Sequence, residues 1–110
     1  QGIGTALFEE VLYDANGQPL TSTLADYILP GPAELPSFQL KHAETLSPYT
    51  RHGIKGVGEG GAIAPGGAVV NAINDALAPF GVELNALPAT PDRVLGALLA
   101  ARARRPEDAA

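Results

Sequence analysis

"HGIKGVGEGGAIAPGGAVVNAINDALAPF", His52 to Phe80, is the stretch on which the reading of this chain turns. Its second half places Val69, Ile73, Ala76, Leu77 and Phe80 on one helical stripe, and Pro65 falls near the first turn, where a missing N–H is tolerated. That spacing predicts the main buried helix. Its first half is the most glycine-dense loop of the chain, and Glu59 is the single carboxylate inside it.

Moving toward the N-terminus, "SFQLKHAETL" alternates Phe38, Leu40, His42 and Glu44 against Gln39, Lys41, Ala43 and Thr45, the period-two pattern of a strand with one buried face. "DYILPGPAELPS" has prolines at 30, 32 and 36 and reads as an extended surface connection, since proline cannot donate to a ladder. "DANGQPL" supplies Asn16-Gly17, residues that tolerate a tight turn, so a hairpin is expected from Val11 to Thr23. In "QGIGTALFEEVLYD" the residues Ile3, Ala6, Leu7 and Glu10 recur at helical spacing, with no visible cap before residue 1, and the pattern shifts toward strand from Glu10 to Tyr13.

Moving toward the C-terminus, "GVELNALP" adds a short strand. "TPDRVLGALLAAR" then opens a helix with Thr90 as cap and Pro91 at its first position, and with Val94, Leu95, Leu98 and Leu99 as its apolar face. "ARRPEDAA" carries Pro106 and no apolar stripe. The expected fold is α+β: helix, β-hairpin, further strand, glycine-rich loop and two C-terminal helices, over residues 1–103, with a flexible tail at 104–110. The elements do not alternate as repeated βαβ units, which disfavours a doubly wound sheet.

A chain of 110 residues is at most one domain, and three Phe, three Tyr and no Trp leave aliphatics and alanines to fill its core. The net charge of −5 argues against non-specific nucleic-acid binding, which needs basic surface to displace counterions. Arg102, Arg104 and Arg105 form the one basic cluster and read as a solvated helix end. Without cysteine there are no disulfides, zinc thiolates or iron–sulfur ligands within these residues, and the cytoplasm is the expected compartment. No apolar run is long enough to span a bilayer. The chain begins at Gln1 and contains no methionine, so a fragment or processed piece is expected.

Gly56-Val57-Gly58-Glu59-Gly60-Gly61 formally matches the dinucleotide fingerprint G-x-G-x-x-G, with Glu83 placed to receive a ribose. Such a loop must follow a buried parallel strand, and "PYTRHGIK" offers no Val/Ile run. A carboxylate at the phosphate position would also repel the ligand. Walker-type phosphate binding fails because Lys55 precedes the glycines. The glycines can instead serve Glu59: residues without Cβ let the backbone approach a bulky ligand. A following helix N-terminus favours a charged carboxylate, while burial against a cofactor opposes it. On residue types alone, an exposed loop acid and a positioned base both fit.

From "QGIGTALFEE" through "DYILP" and "KGVGEGG" to "LPATPDRV", the chain resembles the C-terminal part of the molybdopterin-binding large subunit of molybdenum hydroxylases. That family includes xanthine dehydrogenase, aldehyde oxidoreductase and aerobic carbon monoxide dehydrogenase, and K-G-V-G-E resembles the carbon monoxide dehydrogenase-like branch most. The resemblance implies a fragment of the molybdopterin-binding domain with Glu59 as active-site base beside molybdenum, taking up a proton as water-derived oxygen passes to CO, an aldehyde or an N-heteroaromatic. It makes Gly58 and Gly60 candidates for cofactor approach and assigns no metal ligand.

The implied cofactor is molybdenum-molybdopterin, in its cytosine dinucleotide form, held by the full enzyme and not by this chain alone. The implied partners are the remainder of the large subunit, iron–sulfur and FAD subunits and a small-molecule substrate, with self-association expected of the isolated piece. The competing reading is a non-catalytic α+β fragment or interaction module whose glycine loop is a connector.

The remaining polar residues have bland readings. His42 and His52 join no metal-ligand cluster and read as satisfied or surface histidines. Glu9 and Glu10 resemble the family's "EE" pair and read as a solvated edge. Asp26 and Tyr27 read as structural, with the phenol anchoring the proline-rich connection. Ser47 and Thr50 lie in no nucleophile motif.

Overall fold

The computed structural model describes residues 1–104. Three α-helices order them: α1 at Gly2–Leu7, α2 at Gly60–Leu77 and α3 at Pro91–Arg102, with single 3₁₀ turns at Arg51–Gly53 and Ala78–Phe80. The tail expected over 104–110 falls outside the described residues from position 105 onward.

α1 stops at Leu7, short of the Glu10 that its periodicity reached. The amides of Phe8 and Glu9 both turn back onto the Gly4 carbonyl, at 2.8 and 2.9 Å, so the helix closes on itself instead of continuing. α2 ends in the 3₁₀ turn that contains Pro79, and Gly81 then adopts a left-handed conformation (φ 68°, ψ 31°) that a residue with a Cβ resists. α3 begins as its sequence dictates: Thr90 is extended, its hydroxyl accepts from the Arg93 amide at 3.4 Å, and Pro91 and Asp92 occupy the first turn.

Between α2 and α3 the chain has no strand. Asn74 instead treats Leu84 as a strand partner would, its amide oxygen accepting from the Leu84 N–H at 2.8 Å and its amide nitrogen donating to the Leu84 carbonyl at 3.0 Å. The Ala89 N–H then donates to the Ala6 carbonyl at 2.7 Å, which fastens this connection beneath α1. Among the described residues Ala6, Leu77, Val82 and Ala89 are buried, with Pro88 buried beside them.

Around Asn16-Gly17 the backbone makes a tight turn. The Gly17 amide donates to the Asp14 carbonyl at 3.0 Å, and Gly17 has φ 80°. The Asp14 carboxylate accepts from the amides of Asn16 and Gln18, at 2.8 and 2.9 Å. Those N–H groups, Gln18 first, hold the Asp14 carboxyl below its usual range. Only Gly17 of the pair has positive φ, so the loop is the three-residue kind and not a two-residue turn. One antiparallel bridge, Tyr13 to Pro19, follows it. Residues 37–45 run without regular structure, and Phe38 and Leu40 are exposed.

The described chain is open for its size. Its radius of gyration is 19.1 Å, against about 13 Å for a compact domain of this length. Its accessible surface is 8907 Å², against roughly 5,700 Å² for a folded monomer of 11.3 kDa. An apolar cleft of about 390 Å³ lies between α1 and α3, lined by Leu7, Phe8, Ala89, Val94, Leu95 and Leu98. Leu7 also borders a second apolar groove along Val69, Ala72 and Ile73 of α2.

Candidate active site at the glycine loop

The glycine loop is placed by what precedes and follows it. Upstream, the Thr50 hydroxyl donates to the Ile54 carbonyl at 2.7 Å and Lys55 Nζ donates to the Thr45 hydroxyl at 2.7 Å. No strand leads into it; Arg51–Gly53 is a 3₁₀ turn, so the setting that a dinucleotide fingerprint requires is absent. Downstream, Glu59 is the residue that caps α2 (φ −107°, ψ 0°), and its carbonyl accepts from the amides of Ala62 and Ile63 at 2.9 and 3.3 Å. The backbone of Glu59 is therefore part of the helix end.

The Glu59 side chain is exposed and makes no capping bond to α2. Gly60 is glycine for a local reason: its amide closes a turn on the Val57 carbonyl at 3.1 Å, and a Cβ there would stand 2.7 Å from Val57 Cγ2. Gly58 has no such reason. Its φ is not left-handed, and a Cβ built on it would meet nothing within 4 Å. The same holds for Gly56 and Gly61. Among the described residues nothing occupies the space beside these three backbones, which leaves them accessible to a bulky group from outside.

α1 lies against the start of α2. A Cβ on the buried Gly2 would stand 2.7 Å from Pro65 Cγ and 2.9 Å from the Ala62 carbonyl oxygen. Pro65 is the sixth residue of α2, deeper than the first-turn position expected of it, and it has no N–H for the Gly61 carbonyl.

Glu9 and Glu10 do not form a solvated edge. Both are half-buried and partnered: the Tyr27 hydroxyl donates to Glu9, and Arg93 pairs with Glu10 while donating from Nη1 to the Pro88 carbonyl at 2.8 Å. Donation to Glu9 is the main cause that raises the Tyr27 phenol above its usual range, with burial adding to it. The sequence does not single out Arg93, Asn74 or Gly2: Glu10 and Pro65 lie 83 and 63 residues from Arg93 and Gly2, and the Asn74–Leu84 contact follows no helical or strand period. His42 and His52 are exposed, and among the described residues no three His, Cys, Asp or Glu side chains group to hold a metal. No helix among them is long and apolar enough to cross a membrane.

The profile of the molybdopterin cofactor-binding domain matches residues 1–36, the segment that contains α1 and the tight turn. The nicotine 6-hydroxylase large subunit of Paenarthrobacter nicotinovorans is 48% identical over 97 residues, 88% of this chain and 12% of that protein. The chain belongs to the molybdopterin-binding large-subunit family. Another relative in this family, the carbon monoxide dehydrogenase large chain of Hydrogenophaga pseudoflava, is 35% identical over 94 residues, 86% of this chain and 12% of that protein. The crystal structure of quinoline 2-oxidoreductase from Pseudomonas putida 86 superposes with a TM-score of 0.86 at 44% identity, over 90% of this chain and 13% of that one. The chain thus spans about an eighth of the length of its relatives. The identities to the nicotine and quinoline enzymes exceed that to the carbon monoxide dehydrogenase, against the branch that K-G-V-G-E resembled.

Proposed function

We propose that this chain is the part of a molybdenum hydroxylase large subunit that supplies its active-site base, Glu59. One observation carries the reading: Glu59 caps the N-terminus of α2 with its side chain unengaged, beside glycines whose missing side chains face open space. Those residues fit one wall of a molybdopterin site. The backbone at Gly58 and Gly61 would lie against the cofactor, in its cytosine dinucleotide form, while Gly60 keeps the turn tight. When bound, that cofactor supplies the two-electron oxidation and the activation of water. Glu59 takes up the proton released as water-derived oxygen is added to substrate carbon, and the turn from Val57 to Gly60 fixes where it does so.

The substrate class this reading favours is an N-heteroaromatic, because the nicotine and quinoline enzymes are more similar to the chain than the carbon monoxide dehydrogenase is. CO and aldehydes are the lesser candidates. The rest of the large subunit completes the site, and iron–sulfur and FAD subunits carry the electrons, in the cytoplasm. Residues 37–45 pair in an α+β sheet within that larger domain, and the isolated chain neither holds cofactor nor turns over substrate.

The test is Glu59→Gln in the full-length subunit within its native complex. Turnover falls about 10²–10⁴-fold, the usual worth of general-base help, with molybdenum content unchanged. Near-normal turnover removes Glu59 from the mechanism.

A further inference from the structure

We infer that Gly2 is a positioning residue for Glu59, acting through the seat of α1 on the first two turns of α2. The inference rests on the reading of Glu59 as the base, and it adds a residue that touches neither cofactor nor substrate.

Gly2 is buried, and the two groups that a Cβ would strike cannot rotate away. One is the Ala62 carbonyl oxygen, which is backbone, at 2.9 Å; the other is the Pro65 ring, at 2.7 Å, which is closed onto its own backbone. A side chain at position 2 therefore moves a helix. Relief to ordinary van der Waals contact takes a displacement of about 0.5–0.7 Å at the least, and a close-packed contact transmits that displacement instead of absorbing it.

α1 is the worse candidate to move. Its Ala6 is fully buried and its carbonyl holds the Ala89 amide at 2.7 Å. A Cβ on Gly4 would already stand 3.1 Å from Pro30 Cδ, and Glu10 just beyond the helix is paired with Arg93. Among the described residues the start of α2 has no comparable anchor, since Gly61, Ile63 and Ala64 are exposed.

The displacement reaches the base in one step. Ala62 presents its carbonyl to Gly2 and its amide to the Glu59 carbonyl, at 2.9 Å. Glu59 lies three residues from Ala62, about 4.5 Å along the axis, so it moves with the helix end. A misplacement on the order of 1 Å costs roughly 10²-fold in a proton transfer that depends on reach. The pair Gly2 and Pro65 thus sets the height of the Glu59 carboxylate without contacting it.

The experiment is a double-mutant cycle of Gly2→Ala and Glu59→Gln in the full-length subunit within its native complex. Gly2→Ala is expected to lower kcat about 10- to 100-fold with KM changed less than about two-fold and molybdenum content retained. In the Glu59→Gln background it is expected to cost nothing further, because the two changes disable one group. An unaffected kcat in Gly2→Ala, or a loss that adds in full to that of Glu59→Gln, overturns the inference and leaves the base reading standing. Near-normal turnover in Glu59→Gln overturns the base reading and this inference with it. If Gly2→Ala does not assemble, Pro65→Ala, which removes the ring from the same seat and adds no heavy atom, only a backbone N–H, is measured in the same cycle. It is expected to lower kcat several-fold without adding to Glu59→Gln, and unaltered turnover there is equally decisive against.

Discussion

Asn74 on α2 grips Leu84 through both amide atoms, at 2.8 and 3.0 Å, and so performs for one residue the work of a neighbouring strand. The contact fixes the path of residues 81–89 back to α1. It also makes Asn74 the most informative place to ask what holds that path.

Replacing Asn74 with Leu keeps the bulk and strands both backbone groups of Leu84. Leaving partly buried polar groups unpaired costs about 1–3 kcal/mol, with the lower half expected at this half-buried site. The Leu84 amide should then exchange with solvent roughly 5- to 30-fold faster, while amides in the middle of α3 keep their protection. Unchanged exchange at Leu84 would show that the path is held elsewhere.

Arg93 bridges α3, the Pro88 carbonyl and Glu10, but its side chain is 38% exposed, so solvent screens the pair. A double-mutant cycle of Arg93→Gln and Glu10→Gln on the large subunit is expected to give a coupling of about 0.5–1 kcal/mol that shrinks in high salt. A coupling that salt leaves unchanged would contradict the exposure.

Tyr27 titrates late. Its proton sits in the bond to Glu9, and the folded form binds that proton more tightly than the unfolded form does. The stabilisation is therefore complete below the ordinary phenol value of 10.0 and is lost as pH rises through the higher folded value. Subtracting the ultraviolet titration of Tyr27→Phe from that of the parent isolates this phenol. A midpoint at or below 10.0 would rule the bond out as a persistent contact.

The isolated 110-residue chain is expected to self-associate at micromolar concentration, through the cleft between α1 and α3 and the adjoining groove on α2. Leu95, which lines the cleft, and Leu99, one turn further along α3, are more than half exposed. Leu95→Glu with Leu99→Glu should shift the sedimentation profile toward monomer, and an unchanged profile places the sticky surface on another face.

How far the sequence could be read depended on whether each signal was local. Thr90-Pro91 announced α3 because a cap and a first-turn proline act within four residues, and the stripe through Val69, Ile73 and Leu77 announced α2 for a similar reason. The end of α1 escaped it, since Gly4 collects two amides and Glu9 and Glu10 are drawn to Tyr27 and Arg93, partners that no helical periodicity encodes. The alternation of Phe38, Leu40 and His42 describes faces and says nothing about which edge pairs with them, and no described residue does. For the site, the motif named Glu59, yet the reason for Gly60 became visible only with Val57 above it, and Gly2 carried no signal until Pro65 lay beneath it.

Arg93 and Glu10 stand 83 residues apart in sequence, and the Ala6–Ala89 bond spans the same separation. During synthesis, α1 leaves the ribosome long before the residues that fasten it exist. The seat for α2, and with it the resting place of Glu59, is consequently not fastened until translation has passed α3, and it is exposed to any stall before that point.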